Sequence, residues 1–320
     1  MLRSLLIYLS KAAWAKRLVT SWGFARRTAL RFVAGETLPQ ALEVVKQLNA
    51  ASMHATLDHL GEDTHSPDEA RQSTQEIIAL LNAVDQAGIP SGISIKLTQI
   101  GLSLDETLCA QNLAQILAHA RSLGIYVRID MEDSPWVDAT LRLASQMRDQ
   151  HGFDHFGLVI QSYLYRSEED TRLLLQQALT IRLVKGAYME PAEIAYPKKK
   201  DVDAAFDRLT AMLLDASLLD SAPALSADGK TPPIPAIATH DEQRVAFAKD
   251  YAAQIGLPKD KLEFQMLYGI RRDLQERLVA EGYPVRVYIP YGSQWYPYFM
   301  RRLAERPANL WFFLSSLLKR

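Results

Sequence analysis

The alternation of short β-rich runs with longer helical segments constrains the fold of this chain most strongly. Eight strand-like runs begin at His54, Gly92, Ile125, Phe156, Thr180, Ile234, Leu262 and Val285, and helical patterns separate them as far as residue 305. Strands joined by helical crossovers pair in parallel, and eight such units favour an α/β fold of the (β/α)₈ TIM-barrel type. A doubly wound open sheet is the alternative, but a nucleotide-binding version would need a glycine-rich first turn that the sequence lacks.

Capping residues and a proline-rich segment divide the chain further. Ser66 is a predicted N-cap with Pro67 at the first helical position, and Gly124 is predicted to close the helix of "DETLCAQNLAQILAHARSLG". The segment 221–235 is predicted to be a loop, because it holds four prolines, and its "GKT" lacks the first glycine of a phosphate loop. We expect an N-terminal helical arm over residues 1–50, the barrel over 51–310 and an apolar tail over 311–320.

Composition limits the partners and the compartment. With 320 residues, 48% of them hydrophobic, the chain can bury a large core. A formal net charge of -1 argues against a dedicated nucleic-acid-binding protein. The single cysteine, Cys109, permits no intrachain disulfide and lies in a pattern that predicts a buried helical thiol. No run reaches the length of a membrane span and no signal-peptide pattern is present, so we expect a cytoplasmic protein.

The first 34 residues form a basic arm, with seven Lys or Arg residues and no acidic residue. Apolar side chains are interleaved with these cations. Two interpretations remain open: helices packed against the barrel, which we favour, and a basic amphipathic surface bound peripherally to the inner face of the plasma membrane.

Polar side chains lie at the carboxyl end of nearly every predicted strand. These ends meet at one mouth in a barrel, and the residues are Asp58, Lys96, Asp130, Gln161, Arg182, Lys185, Thr239, His240, Gln265, Tyr288 and Tyr291. With Arg301 and Arg302 added, cations outnumber acids, so we predict an electropositive mouth that binds a small carboxylate or phosphate compound. His54, Asp58 and His59 lack the spacing of metal ligands, and we expect no metal.

The segment "YIPYGSQWYPYFMRRLAE" at 288–305 raises a separate question about its paired arginines. Pro297 is tolerated in the first turn of a helix, and Tyr298, Arg301, Arg302 and Glu305 then share one helical face. That face is either a solvated surface with an Arg–Glu pair or an arginine pair that grips a substrate carboxylate.

Several long motifs together resemble the proline dehydrogenase family. They are "IRLVKGAYME" at 181–190, "IATHD" at 237–241, "EFQMLYGI" at 263–270 and "VRVYIPYGSQWYPYFMRRLAERPAN" at 285–309, and "VAGET", "ISIKL", "VRIDMED" and "IQSYL" precede or accompany them in the family's order. The resemblance implies a distorted (β/α)₈ barrel with FAD at the strand ends and the eighth helix over the mouth. It also implies oxidation of L-proline to 1-pyrroline-5-carboxylate, the first step of proline catabolism, with hydride transfer to the flavin and electrons passed on to a quinone.

The family's site residues carry over to matching positions. The resemblance implies that Lys96, Arg301 and Arg302 bind the carboxylate of proline, with Glu305 holding an arginine in place. Tyr288, Tyr298 and Leu267 would enclose the pyrrolidine ring. Asp130 would organise the charges beside it and Arg182 would lie near the reactive edge of the flavin, so these two are the predicted catalytic residues. The predicted FAD contacts are Met131, Gln161, Arg182, Val184, Lys185, Gly186, Ala187, Tyr188, Thr239, His240 and Gln265.

One departure and several alternatives accompany this interpretation. Asp241 stands where the family usually has Asn, which puts an amide-specific contact in doubt. A barrel aldolase with Lys96 or Lys185 as Schiff base, or a noncatalytic amino-acid-binding barrel, also fits the pattern of the residues. Activity on hydroxyproline is left open. The next enzyme, a pyrroline-5-carboxylate dehydrogenase, is expected to be a separate protein.

Overall fold

The computed structural model describes residues 12, 14–15, 31–61, 64–219 and 222–305, and for residues 301–305 it describes the backbone alone. The strands are β1 (His54–His59), β2 (Ser91–Ile95), β3 (Val127–Ile129), β4 (Phe156–Gln161), β5 (Thr180–Val184), β6 (Pro235–Ala238), β7 (Glu263–Leu267) and β8 (Val285–Tyr291). The helices of this part are α1 (Leu38–Ala50), α2 (Pro67–Gln86), α3 (Glu106–Ser122), α4 (Ser134–Asp149), α5 (Ser167–Gln176), α6 (Lys199–Ala216), α7 (Glu242–Gln254), α8 (Arg272–Ala280) and α9 (Trp295–Glu305).

The strands close into a parallel barrel in chain order. β8 pairs with β1, so that Thr56 lies opposite Tyr288, and every other strand pairs with its neighbours in the sequence. Each of the eight predicted runs overlaps one strand to within a few residues at its ends, which confirms the (β/α)₈ prediction. The open doubly wound sheet is wrong, because a closed barrel has no edge strands.

Helix ends follow the predicted capping chemistry. The Ser66 hydroxyl accepts a hydrogen bond from the backbone N–H of Glu69 at 3.3 Å, and Pro67 opens α2. Gly124 follows α3 with a φ of 64°, a left-handed conformation that glycine adopts without strain. These local signals fix the ends of two crossovers before any tertiary contact forms.

The two faces of the barrel wall have different chemistry. Outward apolar side chains pack against the helices in one continuous core, which includes the fully buried Cys109. Burial raises the pKa of the Cys109 thiol, which confirms the prediction of an inert helical cysteine. The interior is polar, since Arg182 on β5 bonds across the barrel to Ser94 on β2, to Asp130 just after β3 and to Gln265 on β7.

The amino end of the barrel is closed by the predicted loop. Arg286 donates from Nη2 to the carbonyl oxygen of Gly229 at 2.7 Å, which ties the segment 222–234 to β8. Gly229 has a φ of 70°, and a Cβ added there would lie 2.2 Å from the His54 ring. The glycine of "GKT" is therefore required by close packing at the barrel floor.

Helix α9 covers part of the opposite, carboxyl end. Trp295, Tyr298 and Phe299 form a second apolar cluster with Leu60, which follows β1, and Ile270, which follows β7. These partners lie just beyond the carboxyl ends of their strands, so the expected position of the eighth barrel helix over the mouth is confirmed.

Only part of the predicted N-terminal arm is described. Ala41 and Val45 of α1 are fully buried in the same core as the barrel, so this portion packs against it. Most of the basic arm and the predicted tail over 311–320 lie outside the described residues. In the part of the chain that the structure covers, no helix is long and apolar enough to cross a membrane.

Candidate active site

Four consecutive strands, β5 to β8, each have a single partly exposed residue. Val184, Ala238 and Leu267 are the last residues of β5, β6 and β7, and Tyr288 lies in the middle of β8. Strands β2, β3 and β4 are buried throughout. We call these four partly exposed residues the platform, and three of them are among the predicted site residues.

A cluster of charged groups lies beside this platform. Lys96 Nζ is 3.3 Å from Asp58 Oδ1, 3.4 Å from Asp130 Oδ2 and 3.4 Å from the hydroxyl of Tyr288. The Tyr288 hydroxyl donates to Asp130 Oδ2 at 2.7 Å. Three of the predicted substrate and catalytic residues are thus brought together from β8 and the ends of β2 and β3.

Arg182 is held in a fixed orientation from three sides. Its Nη1 donates to Asp130 Oδ1 at 2.8 Å and to the Ser94 hydroxyl at 3.2 Å, while its Nε donates to Gln265 Oε1 at 2.6 Å. The guanidinium carbon lies 5.2 Å from the centre of the Tyr288 ring. A guanidinium paired in this way is a pre-oriented positive charge, which is the property that the prediction for Arg182 requires.

The protonation states of the cluster follow from these contacts. Burial alone would raise the pKa of Asp130, but Lys96, Arg182 and the Tyr288 hydroxyl outweigh it and hold that pKa below its usual range. Burial, with the Asp130 and Asp58 carboxylates, raises the pKa of Tyr288 well above its usual value. Asp130 is therefore ionised at neutral pH while Tyr288 keeps its proton as a donor.

The charges within the described cluster balance. Lys96 and Arg182 face the carboxylates of Asp58 and Asp130, two cations against two anions. The predicted electropositive mouth therefore depends on Arg301 and Arg302, whose side chains lie outside the described residues, as does that of Glu305. It stays a prediction.

Lys185 and Asp241 stabilise the loop that follows β5. Lys185 Nζ bonds to Asp203 Oδ1 at 2.5 Å and to Asp241 Oδ2 at 2.6 Å, while Asp241 Oδ1 caps α7 by accepting the Gln243 N–H at 3.1 Å. Burial would raise the pKa of Asp241, but Lys185 and the cap bond lower it to about 2. Asp241, which stands where the family usually has Asn, thus pairs with the oppositely charged Lys185.

The backbone conformation at position 186 and its close packing against Tyr163 require a glycine, whether or not a ligand binds. Its φ is 113°, and an added Cβ would lie 2.4 Å from the ring of Tyr163. The ring of His240 accepts the Leu267 N–H at Nε2, at 3.0 Å, so a neutral ring carries its proton on Nδ1. The first contact joins the segments that follow β4 and β5, and the second joins the segment that follows β6 to the end of β7.

The remaining predicted cofactor residues occupy the same end of the barrel. Gln161 donates from Nε2 to the Glu132 carbonyl oxygen at 2.9 Å, and the Thr239 hydroxyl accepts the Asp241 N–H at 3.1 Å. Met131, Gln161 and Thr239 are buried, whereas Ala187 is exposed and Tyr188 partly exposed in the loop after β5. Tyr298 is buried in α9, in the apolar cluster against which Leu267 packs.

Sequence reasoning missed the roles of four polar groups that complete the interior. Asp58 was predicted at the mouth but without a site role, and Ser94, Glu263 and Arg286 were not singled out, although each of the four is at most 2% exposed and hydrogen-bonded inside the barrel. The alternation of side chains along a strand carried a signal for two of them, because Glu263 precedes Gln265, and Arg286 precedes Tyr288, by two positions on the same strand face.

Among the residues that the structure describes, no group of acidic, His or Cys side chains is arranged to hold a metal ion.

Comparison with known proteins decides the family. The family model for proline dehydrogenase matches residues 41–313, a span that includes all eight strands. The chain belongs to the proline dehydrogenase family. It is 41% identical over 320 residues to Proline dehydrogenase 1 of Bacillus subtilis, covering 100% of both chains. It is also 42% identical over 294 residues to the proline dehydrogenase of Deinococcus radiodurans, covering 91% of this chain and 90% of that one.

A solved structure of a larger protein shares the family fold. The chain matches proline utilization A from Bdellovibrio bacteriovorus, inactivated by N-propargylglycine, with a TM-score of 0.78 and 27% identity. The match covers 88% of this chain and 33% of that protein. The chain therefore corresponds to about one third of that larger protein.

Proposed function

We propose that this protein oxidises L-proline to 1-pyrroline-5-carboxylate with FAD as its cofactor and a quinone as the electron acceptor. The observation that carries the proposal is the cluster of Lys96, Asp130, Arg182 and Tyr288 beside the open platform over β5 to β8. It combines fixed charges for an amino-acid carboxylate with an accessible surface for a flat ring system.

The residues present fit a flavin. Ala236 and Ala238 are the inward residues of β6, since Ala236 pairs with Arg182 on β5, and the two alanines pair with Glu263 and Gln265 on β7. Small side chains there, between the partly exposed Val184 and Leu267, leave room for a planar ring. The proposed FAD contacts are Met131, Gln161, Arg182, Val184, Lys185, Gly186, Ala187, Tyr188, Thr239, His240 and Gln265. When bound, FAD accepts a hydride from the ring carbon next to the nitrogen of proline.

Lys96 is the proposed anchor for the substrate carboxylate, together with Arg301 and Arg302. Its ammonium lies between Asp58 and Asp130, more than 3.2 Å from either carboxylate, so these contacts are longer than optimal charge-assisted bonds. A substrate carboxylate can replace the 3.4 Å contact between this ammonium and the Tyr288 hydroxyl, which donates its own proton to Asp130, without displacing either aspartate. We place the pyrrolidine ring against Tyr288, Tyr298 and Leu267, which supply an aromatic and apolar wall.

The proposed chemistry needs positioning more than proton transfer. Hydride loss requires a neutral amine and correct alignment, and neither Asp130 nor Tyr288 is tuned to exchange a proton near neutral pH. Asp130 instead holds Arg182 and Lys96, and Arg182 contributes a fixed positive charge that favours an electron-rich reduced cofactor. These are the roles that we assign to the two predicted catalytic residues.

The alternative aldolase function is less well supported. A Schiff base requires the neutral amine of a lysine, whereas Lys96 has a carboxylate on each side and such neighbours favour the ammonium form.

We further propose that a separate dehydrogenase consumes the product and that a peripheral membrane contact through residues 1–34 assists quinone reduction. Sedimentation of the full chain with anionic liposomes, compared with a chain lacking residues 1–34, tests the membrane contact, and equal recovery in the supernatant would exclude it.

A dye-reduction assay with proline tests the central proposal. Purified protein should be yellow, and proline should reduce an artificial acceptor. Arg301→Met and Arg302→Met should each weaken the apparent affinity for proline about tenfold to a hundredfold, the loss expected for one charge-assisted bond. Arg277→Met is the matched control, because Arg277 pairs with Glu242 on the exposed outer surface. Wild-type affinity in both mouth variants would refute the carboxylate clamp, and a colourless protein would refute the flavin.

A further inference from the structure

A continuous chain of buried polar groups connects the barrel floor to Arg182. Glu263 begins β7 and is completely buried. Its Oε1 accepts a hydrogen bond from Gln265 Nε2 at 2.5 Å, and Gln265 Oε1 in turn accepts from Arg182 Nε at 2.6 Å. Glu263 therefore reaches the mouth through one intervening amide.

The amide of Gln265 can serve Arg182 in only one of its two orientations. A guanidinium only donates hydrogen bonds and an ionised carboxylate only accepts them, so the amide must turn its oxygen to Arg182 and its nitrogen to Glu263. The reverse orientation would set donor against donor and acceptor against acceptor. The carboxylate of Glu263 thus determines which end of the amide faces Arg182.

Arg286 keeps Glu263 ionised and in place. Arg286 Nε donates to both carboxylate oxygens of Glu263, at 2.9 and 3.1 Å, and its two terminal nitrogens donate to the carbonyl oxygens of Ala55 and Gly229. Burial would raise the pKa of Glu263, but Arg286 outweighs it, so the carboxylate remains an acceptor. The three residues to which Arg286 donates belong to the barrel wall or to the loop that closes its floor.

We infer that Glu263 is a positioning residue: it fixes the amide of Gln265 and, through that amide, the guanidinium of Arg182. The consequence for catalysis rests on the proposed function, in which Arg182 acts beside the flavin. In the described part of the chain, the carboxylate of Glu263 accepts hydrogen bonds from Gln265 and Arg286, so its effect on Arg182 passes through Gln265. A carboxylate that merely stabilised the barrel would leave Arg182 unaffected when replaced by apolar packing.

The decisive variant removes the anchor without leaving a buried charge. Glu263→Gln alone strands the positive charge of Arg286, which is costly for folding. The double variant Glu263→Met with Arg286→Met removes both charges and keeps the volume, a replacement that buried ion pairs generally tolerate. Arg166→Met with Asp170→Met is the matched control, because it removes an ion pair of 2.8 Å from α5 on the outside of the barrel.

The first readout is independent of flavin and of activity. The Nε–H signal of Arg182 can be followed by nitrogen–proton NMR and assigned by its loss in Arg182→Lys. In the wild type and in the outer-surface control we expect slow exchange of this proton with solvent, whereas the double variant should exchange at least about tenfold faster because Gln265 no longer holds it. Unchanged exchange in the folded double variant would overturn the inference.

The second readout is the rate of proline-dependent flavin reduction. We expect the double variant to lose about tenfold to a hundredfold in rate, the usual cost of losing a supporting hydrogen bond, with a much smaller change in the affinity for proline. The control should retain the wild-type rate. If the wild type itself shows no proline-dependent reduction, the proposed function fails, while the NMR result still decides the role of Glu263. If this double variant does not fold, Glu263→Leu with Arg286→Leu, which also leaves no buried charge and no acceptor for Gln265, is measured by the same two readouts, with the same expected and overturning results.

Discussion

Replacing Tyr288 with phenylalanine should remove the hydrogen bond that its hydroxyl donates to Asp130, together with the longer contact of 3.4 Å between that hydroxyl and Lys96 Nζ. The ring remains in the platform, while Asp130 loses the hydroxyl that donates to it at 2.7 Å. A bond to a charged acceptor contributes about 1.5–3 kcal/mol. Because Asp130 keeps Arg182, Ser94 and Lys96 as donors, we expect the lower end, about 1.5 kcal/mol.

That free energy corresponds to a measurable shift in melting temperature. An unfolding entropy of about 2.1 cal/mol/K per residue gives about 0.7 kcal/mol/K for a chain of this length, so the variant should melt about 2 °C lower. Tyr251→Phe is the control, because the Tyr251 hydroxyl also donates to a carboxylate, that of Asp215 at 3.0 Å, but at the exposed surface. We expect its melting temperature to match the wild type within about 1 °C.

The pH dependence distinguishes this mechanism from a simple packing defect. The pKa of Asp130 is lowered in the folded protein, so the stability that it contributes is fully present above the pKa of an unfolded aspartate and is lost as the pH falls through the folded value. Tyr288 provides part of that lowering. The difference between Tyr288→Phe and wild type should therefore be full at pH 7 and shrink below about pH 4, measured by denaturant unfolding. Equal stability at pH 7, or a difference independent of pH, would refute the reasoning.

Two further substitutions test the loop after β5, and a labelling experiment tests the buried cysteine. Asp241→Asn keeps the cap on α7 but loses the ion pair with Lys185; we expect a loss of about 1 kcal/mol at pH 7 after allowance for solvent screening. Because the pKa of Asp241 is lowered to about 2, the loss should disappear in denaturant titrations as the pH falls from about 4 toward that value. Gly186→Ala should destabilise by about 2 kcal/mol or more, since its Cβ would meet the Tyr163 ring at a positive φ, and an unchanged melting temperature would contradict the close contact. Cys109 should resist thiol reagents at pH 8 in the native protein and react on denaturation, because burial raises its pKa; rapid native labelling would show that the thiol is accessible.

The barrel itself was predictable because its signals are local. Each strand run is a short apolar or alternating stretch between turn residues, and Ser66 and Gly124 mark helix ends through contacts within a few residues of themselves. The order of the strands follows from chain connectivity, since crossovers of this length join parallel neighbours. The strand-end position of Lys96, Asp130 and Arg182 follows in turn, because all carboxyl ends of a parallel barrel meet at one mouth.

The partners of those residues were decided only by the tertiary structure. Arg182 bonds to Asp130, 52 positions earlier, and to Gln265, 83 positions later, and no local pattern specifies pairs at such separations. The ion pair between Asp241 and Lys185 is of the same kind: the sequence marks Asp241 only as a departure from the family motif, and the folded structure brings Lys185 to it. The sequence by itself determined a parallel barrel with polar strand ends, because backbone periodicity and capping act over a few residues. The closed geometry decided which charges meet, because electrostatic and hydrogen-bond partners across the interior depend on register and curvature that form only when β8 pairs with β1.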